Sequence, residues 1–416
     1  MNDRSNNSNS NIENIIFLGA GASKADGAPL QNELFRDYFE LSSKNRNSNN
    51  KKSHERLIDF FNNFFGINLN ELEYTNLENT SFPTFEEALG VLEIALNRGE
   101  SFKGYDLSAD HPDIQRIRQD LIFLMAITIK EKLNIGLSHH RNLVERLAGE
   151  GTLSKTAFIS LNYDILIDNA LTNCYPFYDL DYGVEFANFE NNQECPRSDN
   201  SWKRPRPRKS IFLYKLHGSL NWLYCPTCIA LTLTPKEKSV PGLVFKSEKC
   251  KKCGSEMIPI IIPPTFFKVM SNFYLQQIWY KSEIALRQAK NIIFCGYSFS
   301  DADIHVKYLL KRAEINNGNT PEIYIINSPS VSIPKLIPYF SEKSMISGSI
   351  QNSSFVNIFR NRSTSTKTRD EEKAEKEKEA EKKRYERFFN VKEKVHYMDQ
   401  SFQDFCDHGI DSNKEI

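Results

Sequence analysis

The sequence predicts an α/β fold built on a mostly parallel sheet, with a helical insertion and a small four-cysteine module. Three observations predict it. Short apolar, β-rich runs alternate with helical periodicities between residues 15 and 326. Small or polar clusters stand at the carboxyl ends of those runs: GAGAS at 19–23, NYD at 162–164, HGS at 217–219, GYS at 296–298 and INS at 326–328. In open parallel sheets ligands bind beyond these ends. Two CxxC pairs, at 225/228 and 250/253, interrupt the alternation.

Bulk properties exclude several classes. A chain of 416 residues has room for two domains, or for one with large insertions. Its 53 Lys+Arg balance 53 Asp+Glu, so no net field steers it toward nucleic acid or an acidic membrane, and direct nucleic-acid binding stays open only through local patches. With 29 Phe and 17 Tyr there is ample material for a packed core. No apolar run of membrane-spanning length occurs, and the polar start MNDRSNNSNSNIEN lacks the apolar heart of a signal peptide. A cytoplasmic protein with no membrane association is the expectation.

The chain opens with a polar, Asn-rich stretch over 1–13, expected to be disordered. Residues 14–330 form the expected main domain. Ile15–Leu18 is its first strand, running into Gly19-Ala20-Gly21-Ala22-Ser23. Small residues there let the backbone approach a ligand and turn amides toward a phosphate. The fit to G-x-G-x-x-G is imperfect, and a plain tight turn remains the alternative. A helix follows Pro29, with Leu30, Leu34, Phe35, Tyr38 and Phe39 on one face, then a polar loop over 42–54. Helical spacing dominates 55–134, read as an insertion that covers the site, with a capping box at Thr84 and Glu87. Ser138 is the expected N-cap of a helix to Leu147.

Ala157–Leu161 is a strand ending in Asn162-Tyr163-Asp164, and a helix covers 166–171. Residues 174–210 read as an irregular loop whose basic run, WKRPRPRK at 202–209, is a solvated segment or a phosphate contact. Ile211–Leu216 is a strand ending at His217. Strands are expected at Ile258–Ile262, Asn291–Cys295 and Glu322–Ile326. Helices are expected over Asn272–Ala289, with Phe273, Ile278, Trp279 and Leu286 facing the core, and over Asp303–Ala313. An extension occupies 331–416. Its Glu/Lys-rich part, 361–388, is an exposed helix or linker without an apolar seam, and Phe402 and Phe405 suit docking on a surface.

Four of the eight cysteines form a zinc-ribbon pattern within 222–257. Cys225-Pro-Thr-Cys228 and Cys250-Lys-Lys-Cys253 offer four thiolates for tetrahedral Zn²⁺. Four thiolates leave no position for a reactive water, so the metal is structural. Redox dithiols are the alternative. Cys174, Cys195, Cys295 and Cys406 read as ordinary residues.

His217 and the strand-end Asn162 and Asp164 each have an ordinary structural reading, as a core histidine and as turn residues. Taken as an ordered set, GAGAS, NYD, HG, CxxC…CxxC, GYS and INS resemble the sirtuin (silent-information-regulator) family, and most closely its prokaryotic antiphage-defence branch. The resemblance runs over about 12–330. It implies a Rossmann-like NAD-binding domain with a small zinc module. It implies that Gly19, Ala20, Gly21 and Ser23 cradle phosphate, and that Asn162 and Asp164 order ribose, a water and the nicotinamide amide. His217 would be the general base, Gly296 and Ser298 would lie near ribose and phosphates, and Asn327 would meet the adenosine ribose.

Cleaving the N-glycosidic bond of NAD⁺ builds oxocarbenium character and releases neutral nicotinamide. No general acid is needed, and a neutral imidazole with an ordinary pKa of about 6.5 can take a proton from water or from a ribose hydroxyl.

Deacetylating sirtuins usually carry Gly-x-Pro-Asp-Phe-Arg after the glycine loop. Here Gly27 and Pro29 match, but Leu30-Gln31-Asn32 replace the remainder. Phe35-Arg36 falls four positions late, inside the next helix, and Leu161 replaces the family's Gln. The expectation is therefore an NAD⁺ hydrolase that yields ADP-ribose and nicotinamide and depletes NAD⁺ in antiphage defence. Alternatives are an NAD-dependent protein deacylase or ADP-ribosyltransferase, or a non-catalytic nucleotide-sensing assembly module. Such a hydrolase must be held off, so a homo-oligomer and a partner ATPase or sensor from the same operon are also expected.

Overall fold

The computed structural model describes residues 12–44, 51–69, 77, 79–106, 113–133, 138–173, 179–190, 202–203, 210–234, 249–261, 272–301, 303–317, 320–327, 369–389 and 392–415. In chain order the strands are β1 (Asn14–Leu18), β2 (Thr156–Ser160), β3 (Asp179–Asp181), β4 (Phe189–Glu190), β5 (Trp202–Lys203), β6 (Ser210–Lys215), β7 (Gly218–Cys225), β8 (Ala230–Leu233), β9 (Ile258–Ile261), β10 (Asn291–Cys295), β11 (Glu322–Ile326) and β12 (Val395–Met398). The helices are α1 (Ala20–Ala25), α2 (Leu34–Lys44), α3 (Lys51–Phe65), α4 (Phe85–Arg98), α5 (Asp113–Lys132), α6 (His139–Gly149), α7 (Leu166–Thr172), α8 (Phe273–Gln288), α9 (Ile304–Asn317), α10 (Arg369–Phe388) and α11 (Phe402–His408).

Seven strands form one sheet in the order β12-β11-β10-β1-β2-β6-β3, and every pairing in it is parallel. A parallel sheet is covered on both faces, so its strands read as continuous apolar runs. The sequence NIIFL of β1 is buried at all but its first residue, and Thr156–Ser160 throughout. β1 is central. The chain proceeds from it to β2, β6 and β3 on one side, then returns to β10, β11 and β12 on the other. The order reverses between β1 and β10, which is where open α/β sheets bind ligands.

The helical block carries its own core. Phe35 and Phe39 of α2 pack with Phe60 and Phe61 of α3, Leu89 and Leu92 of α4, and Leu121 and Leu124 of α5. Arg56 clamps Asp120 with two hydrogen bonds at 2.7 and 2.9 Å, fixing α3 to α5. The Thr84/Glu87 capping box forms as the spacing requires. This core also takes in Leu220 of β7 and Ile261 of β9. The helices thus lean on the small antiparallel sheet β8-β7-β9, which carries the cysteines.

Several expectations change. The loop over 42–54 is shorter, because α2 runs to Lys44 and α3 starts at Lys51. Ser138 sits at the N-cap of α6, but its side chain makes no capping bond. Asp26 does that work from α1's end, accepting the His139 amide at 2.8 Å and the His140 ring Nδ1 at 2.6 Å. Phe273 is exposed, while Ile278, Trp279 and Leu286 are buried. Within 174–210, β3 pairs with β6 and a β4–β5 pair forms, and residues 204–209 of the basic run lie outside the described residues. So do Cys174 and Cys195.

The end of the chain completes the sheet. β12 pairs in parallel with β11. Phe402 and Phe405 of α11 are buried, and Arg146 of α6 donates to the carbonyls of Phe405 and Cys406 at 3.1 and 3.0 Å. The far end of α10 is apolar after all: Tyr385 is buried in the main core, Phe388 packs against it, and Phe389, just past the helix, is buried too.

Candidate functional site at the carboxyl ends of the central strands

The glycines of the first loop serve backbone packing. A Cβ on Gly19 would lie 2.5 Å from the Gly296 carbonyl oxygen, and one on Gly296 would lie 2.3 Å from the Ala22 nitrogen. Gly296 also has φ +60°. Only glycine lets the loops after β1 and β10 touch at the switch point. Two amides are consumed in doing so: Gly19 N–H donates to Cys295 O and Gly21 N–H to Gly296 O, both at 2.9 Å.

The loop after β2 joins them. The Asn162 Nδ2 donates to Gly19 O and to Ser23 Oγ, each at 2.8 Å. Ser23 Oγ–H donates to Asp164 Oδ2 at 2.6 Å, and Leu166 N–H donates to Asp164 Oδ1 at 3.0 Å. Ser23 and Asp164 are buried, and Asn162 is half-buried. Both bonds of the Asn162 side chain are therefore made by its nitrogen, which points Oδ1, an acceptor, the other way.

His217 occupies a two-residue turn between β6 and β7 and is buried. The turn is pinned from two sides. Trp279 Nε1–H donates to Leu216 O at 2.9 Å, and Leu216 N–H donates to Ser160 O at 3.1 Å. Gly218 has φ +83°, and a Cβ there would sit 2.0 Å from Ile260 O. The His-Gly pair is thus the corner at which the chain leaves the parallel sheet for the cysteine sheet. The Tyr163 ring lies 6.2 Å from His217 and 6.4 Å from Phe85 of α4, so the histidine sits beneath the helical block. Burial pushes the Tyr163 hydroxyl well above its usual pKa, and the nearby Glu86, Asp303 and Glu93 add to that. It stays protonated at neutral pH.

Beneath the site lies a buried pair that the sequence reading missed. Lys215, fully buried in β6, donates to the Asp164 carbonyl and to Asp168 Oδ2 at 3.0 Å. Tyr182 O–H donates to Asp168 Oδ1 at 2.7 Å. The signal was a lone Lys closing the apolar run IFLYKL.

On the other side of the switch point, Ser298 is exposed and Phe299 takes φ +54°. That left-handed backbone costs about 1 kcal/mol for an L-residue. Packing holds it: the Phe299 ring lies 4.3 Å from Tyr385 and 5.0 Å from Phe388. Asn327 follows β11, and its Nδ2 donates to both Glu381 oxygens of α10 at 2.7 Å. Burial raises the Glu381 pKa against the pull of Asn327, Tyr397 and Arg384. Nothing in the Glu/Lys run marked Glu381.

The segment where the sequence departs from Asp-Phe-Arg is tied down by other means. Lys24 Nζ reaches Glu33 at 2.5 Å, Leu30 N–H donates to the same carboxylate at 2.9 Å, and Gln31 donates to Glu86 of α4. Phe35 is buried in the helical core, inside α2 as the spacing predicts.

The four cysteine sulfurs lie within 4.8 Å of one another. Cys225 Sγ is 3.5 Å from Cys253 Sγ, and Cys250 Sγ is 3.9 Å from Cys228 Sγ. Tetrahedral thiolates at about 2.3 Å from a metal stand roughly 3.8 Å apart, so the four are positioned to hold one ion. Cys228 N–H donates to Cys225 Sγ at 3.3 Å, and Gly254 N–H to Cys250 O at 2.8 Å, turning each pair into a knuckle. Cys225 ends the strand that begins just after His217, so the cysteine module and the histidine stand at opposite ends of β7.

Residues 156–347 match the family model described as a SIR2-like domain. That is less than half of the chain. β1 and its glycine loop lie outside the match, yet β1 pairs with β2 and β10, both inside it. No curated protein matches. Among solved structures, the chain resembles a Sir2 homologue variant in complex with ADP-ribose, at 18% identity and TM-score 0.26, covering 45% of this chain and 53% of that one. The chain thus spans about half the length of that protein. It also resembles Sir2 in complex with the inhibitor EX-527, 2'-O-acetyl-ADP-ribose and a deacetylated p53 peptide, at 14% identity and TM-score 0.31, covering 76% and 81%. A third likeness, to a structure described in terms of the mechanism and regulation of Sir2 enzymes, has 14% identity and TM-score 0.30 over 78% and 83%. At such scores the fold rests on the chain's own topology. No described helix is long and apolar enough to cross a membrane.

Proposed function

We propose that the protein is a sirtuin-like NAD⁺ hydrolase, with the dinucleotide lying across the switch point between β1 and β10. The observation that carries this reading is the convergence of Asn162, Ser23 and Asp164 beside the interlocked glycine loops, with the His217 ring 6.2 Å from that of Tyr163, the residue between Asn162 and Asp164. On this reading Gly19, Ala20, Gly21 and Ser23 line the phosphate path, although the Gly19 and Gly21 amides are spent on the loop after β10. Asp164 holds Ser23. Gly296 and Ser298 line the ribose-phosphate path, and Asn327 stands at the adenosine end.

The chemistry follows from the groups present. Water adds to C1' of the nicotinamide ribose as the C–N bond breaks, and the bonding pair leaves on neutral nicotinamide. Asn162 Oδ1 accepts a hydrogen bond from the water and so orients the nucleophile. His217 takes the proton released, directly or through a ribose hydroxyl. The buried histidine turn and the covering helices keep other nucleophiles away. Gln31, bonded to Glu86, fixes the segment that carries Asp-Phe-Arg in deacetylases, which favours water as the acceptor over an acyl-lysine. The four cysteines hold a structural Zn²⁺ that braces β7 and takes no part in the chemistry.

By the same resemblance, the activity would be that of a cytoplasmic NAD⁺-depleting antiphage effector, held off by homo-oligomer packing and by a partner ATPase or sensor. The test is purified protein with NAD⁺, alone and with the neighbouring gene product, followed by chromatography for nicotinamide and ADP-ribose. Both products without a protein acceptor support the reading. Turnover that requires an acylated or acceptor protein favours the deacylase or transferase. Bound but intact NAD⁺ under both conditions favours a sensing module.

A further inference from the structure

We propose that Tyr385 is a positioning residue of the nucleotide site. From α10 it holds the loop after β10 in the turn that presents Ser298, so the docking of this C-terminal helix sets nucleotide affinity and leaves bond cleavage untouched. The inference rests on the nucleotide reading above.

The loop is held against its own preference. Gly296 takes φ +60° and Phe299 φ +54°. Glycine accepts that backbone, but a bulky L-residue does so only where its surroundings impose it. The turn leaves Tyr297 and Phe299 buried, while Ser298 between them is exposed. Two successive carbonyls are then taken by different elements. Gly296 O accepts the Gly21 N–H at 2.9 Å, and Tyr297 O accepts the Tyr385 O–H at 2.7 Å. The segment is thus strung between the glycine loop and α10.

α10 supplies what imposes the turn. Glu381, Tyr385 and Phe388 stand at i, i+4 and i+7, on one face of the helix. Asn327, beyond β11, donates to Glu381 at 2.7 Å. The Tyr385 and Phe388 rings receive Phe299, and Lys311 of α9 donates to the Phe388 carbonyl. Tyr385 is fully buried, and burial pushes its hydroxyl well above its usual pKa, so it remains a donor at neutral pH. The opposite face is solvated: the Glu379 and Lys383 side chains are 59% and 68% exposed. One face of one helix therefore fixes the loop, and that helix lies beyond residues 156–347, which match the family model. Asn162 and His217 stand beyond β2 and β6, across β1 from this loop. When a binding-competent loop is only partly populated, apparent affinity falls by that fraction, and groups elsewhere that act on the scissile bond are unchanged.

The experiment is calorimetric titration of the full-length chain with ADP-ribose, alongside NAD⁺ kinetics. Tyr385→Phe keeps the ring on Phe299 and removes only the donor to Tyr297 O. It should weaken ADP-ribose binding and raise KM at least about threefold, with kcat within about twofold of the parent. Gln400→Met is the control. Gln400 is buried in the same C-terminal segment, where it bonds Gly409 O at 2.7 Å and the Asp411 N–H at 3.2 Å, so its loss should lower the melting temperature without moving Kd. Should Tyr385→Phe fail to fold, Phe299→Gly accepts the same backbone, gives up the ring that α10 holds, and should raise Kd at least about threefold. An unchanged Kd in the folded variant, a fall in kcat at unchanged Kd, or an equal rise in Kd in Gln400→Met overturns the inference. Binding that weakens in Tyr385→Phe, in a parent that binds ADP-ribose but cleaves no NAD⁺, would sink the hydrolase reading and leave this one standing. No binding of ADP-ribose by the parent overturns both.

Discussion

The Asn162 side-chain nitrogen donates at 2.8 Å to the carbonyl of Gly19, a residue 143 positions earlier in the chain. One hydrogen bond thus joins the end of β2 to the end of β1 and sets which way the amide faces. With its nitrogen spent on Gly19 and Ser23, the group can act toward a ligand only through Oδ1.

Asn162→Ala should lower NAD⁺ cleavage by about 10²-fold or more while far-ultraviolet circular dichroism stays unchanged. Ser23→Ala removes one of the two acceptors that hold the amide and should cost about tenfold in kcat with a small effect on KM. Nicotinamide release measured by chromatography checks both. Activity within twofold of the parent in Asn162→Ala would remove that residue from the mechanism.

The Lys215–Asp168 pair predicts strong coupling. Removing one partner leaves the other charge buried, at a cost of about 3–5 kcal/mol. Lys215→Met should therefore be severely destabilised in urea, and Lys215→Met combined with Asp168→Leu should recover part of the loss. Additive effects across the double-mutant cycle would show that the two charges are not coupled in the fold.

The cysteine module should behave as a metal-dependent fold element. Cys250→Ser, or prolonged chelation, should lower the melting temperature and release one equivalent of zinc measured by mass spectrometry. Activity should fall with the unfolding of β7, because Cys225 and His217 bracket the same strand. Retention of both metal and melting temperature in Cys250→Ser would exclude the four-thiolate site.

Acid should reveal the α1–α6 link. Burial alone would push the Asp26 carboxyl up, but the His140 ring and the His139 amide hold it below its ordinary value of 3.8. A carboxyl depressed in the folded state contributes stability that is present above the unfolded value and lost as pH falls through the folded one. Asp26→Asn should therefore be destabilised at neutral pH by about 1–3 kcal/mol, and the gap should close below about pH 4. A gap that persists unchanged into acid would assign the effect to packing.

The alternation of apolar runs with helical periods was legible in the residues. So were the strand-end clusters and the cysteine spacing, because each depends on neighbours within a few positions. β10 and β11 fall at Asn291–Cys295 and Glu322–Ile326, as their sequences require. The two edge strands, β3 and β12, were not legible. VHYM at β12 is four residues long and half-buried, and it becomes a strand by pairing with β11. The Ser138 cap failed for a related reason: a carboxylate 113 positions away takes the first amide of the helix.

By itself, then, the sequence determined the class of fold, the glycine and histidine corners and the four thiolates, since strand-to-helix turns and metal knuckles are written in local chemistry. The tertiary structure alone decided that β1 is the central strand and that Gly296 interlocks with Gly19 and Gly21. It alone decided that Asn162 is oriented by Ser23 and that Glu381 reaches Asn327. Those relationships depend on strand order, and strand order is fixed by which apolar faces find each other across hundreds of residues.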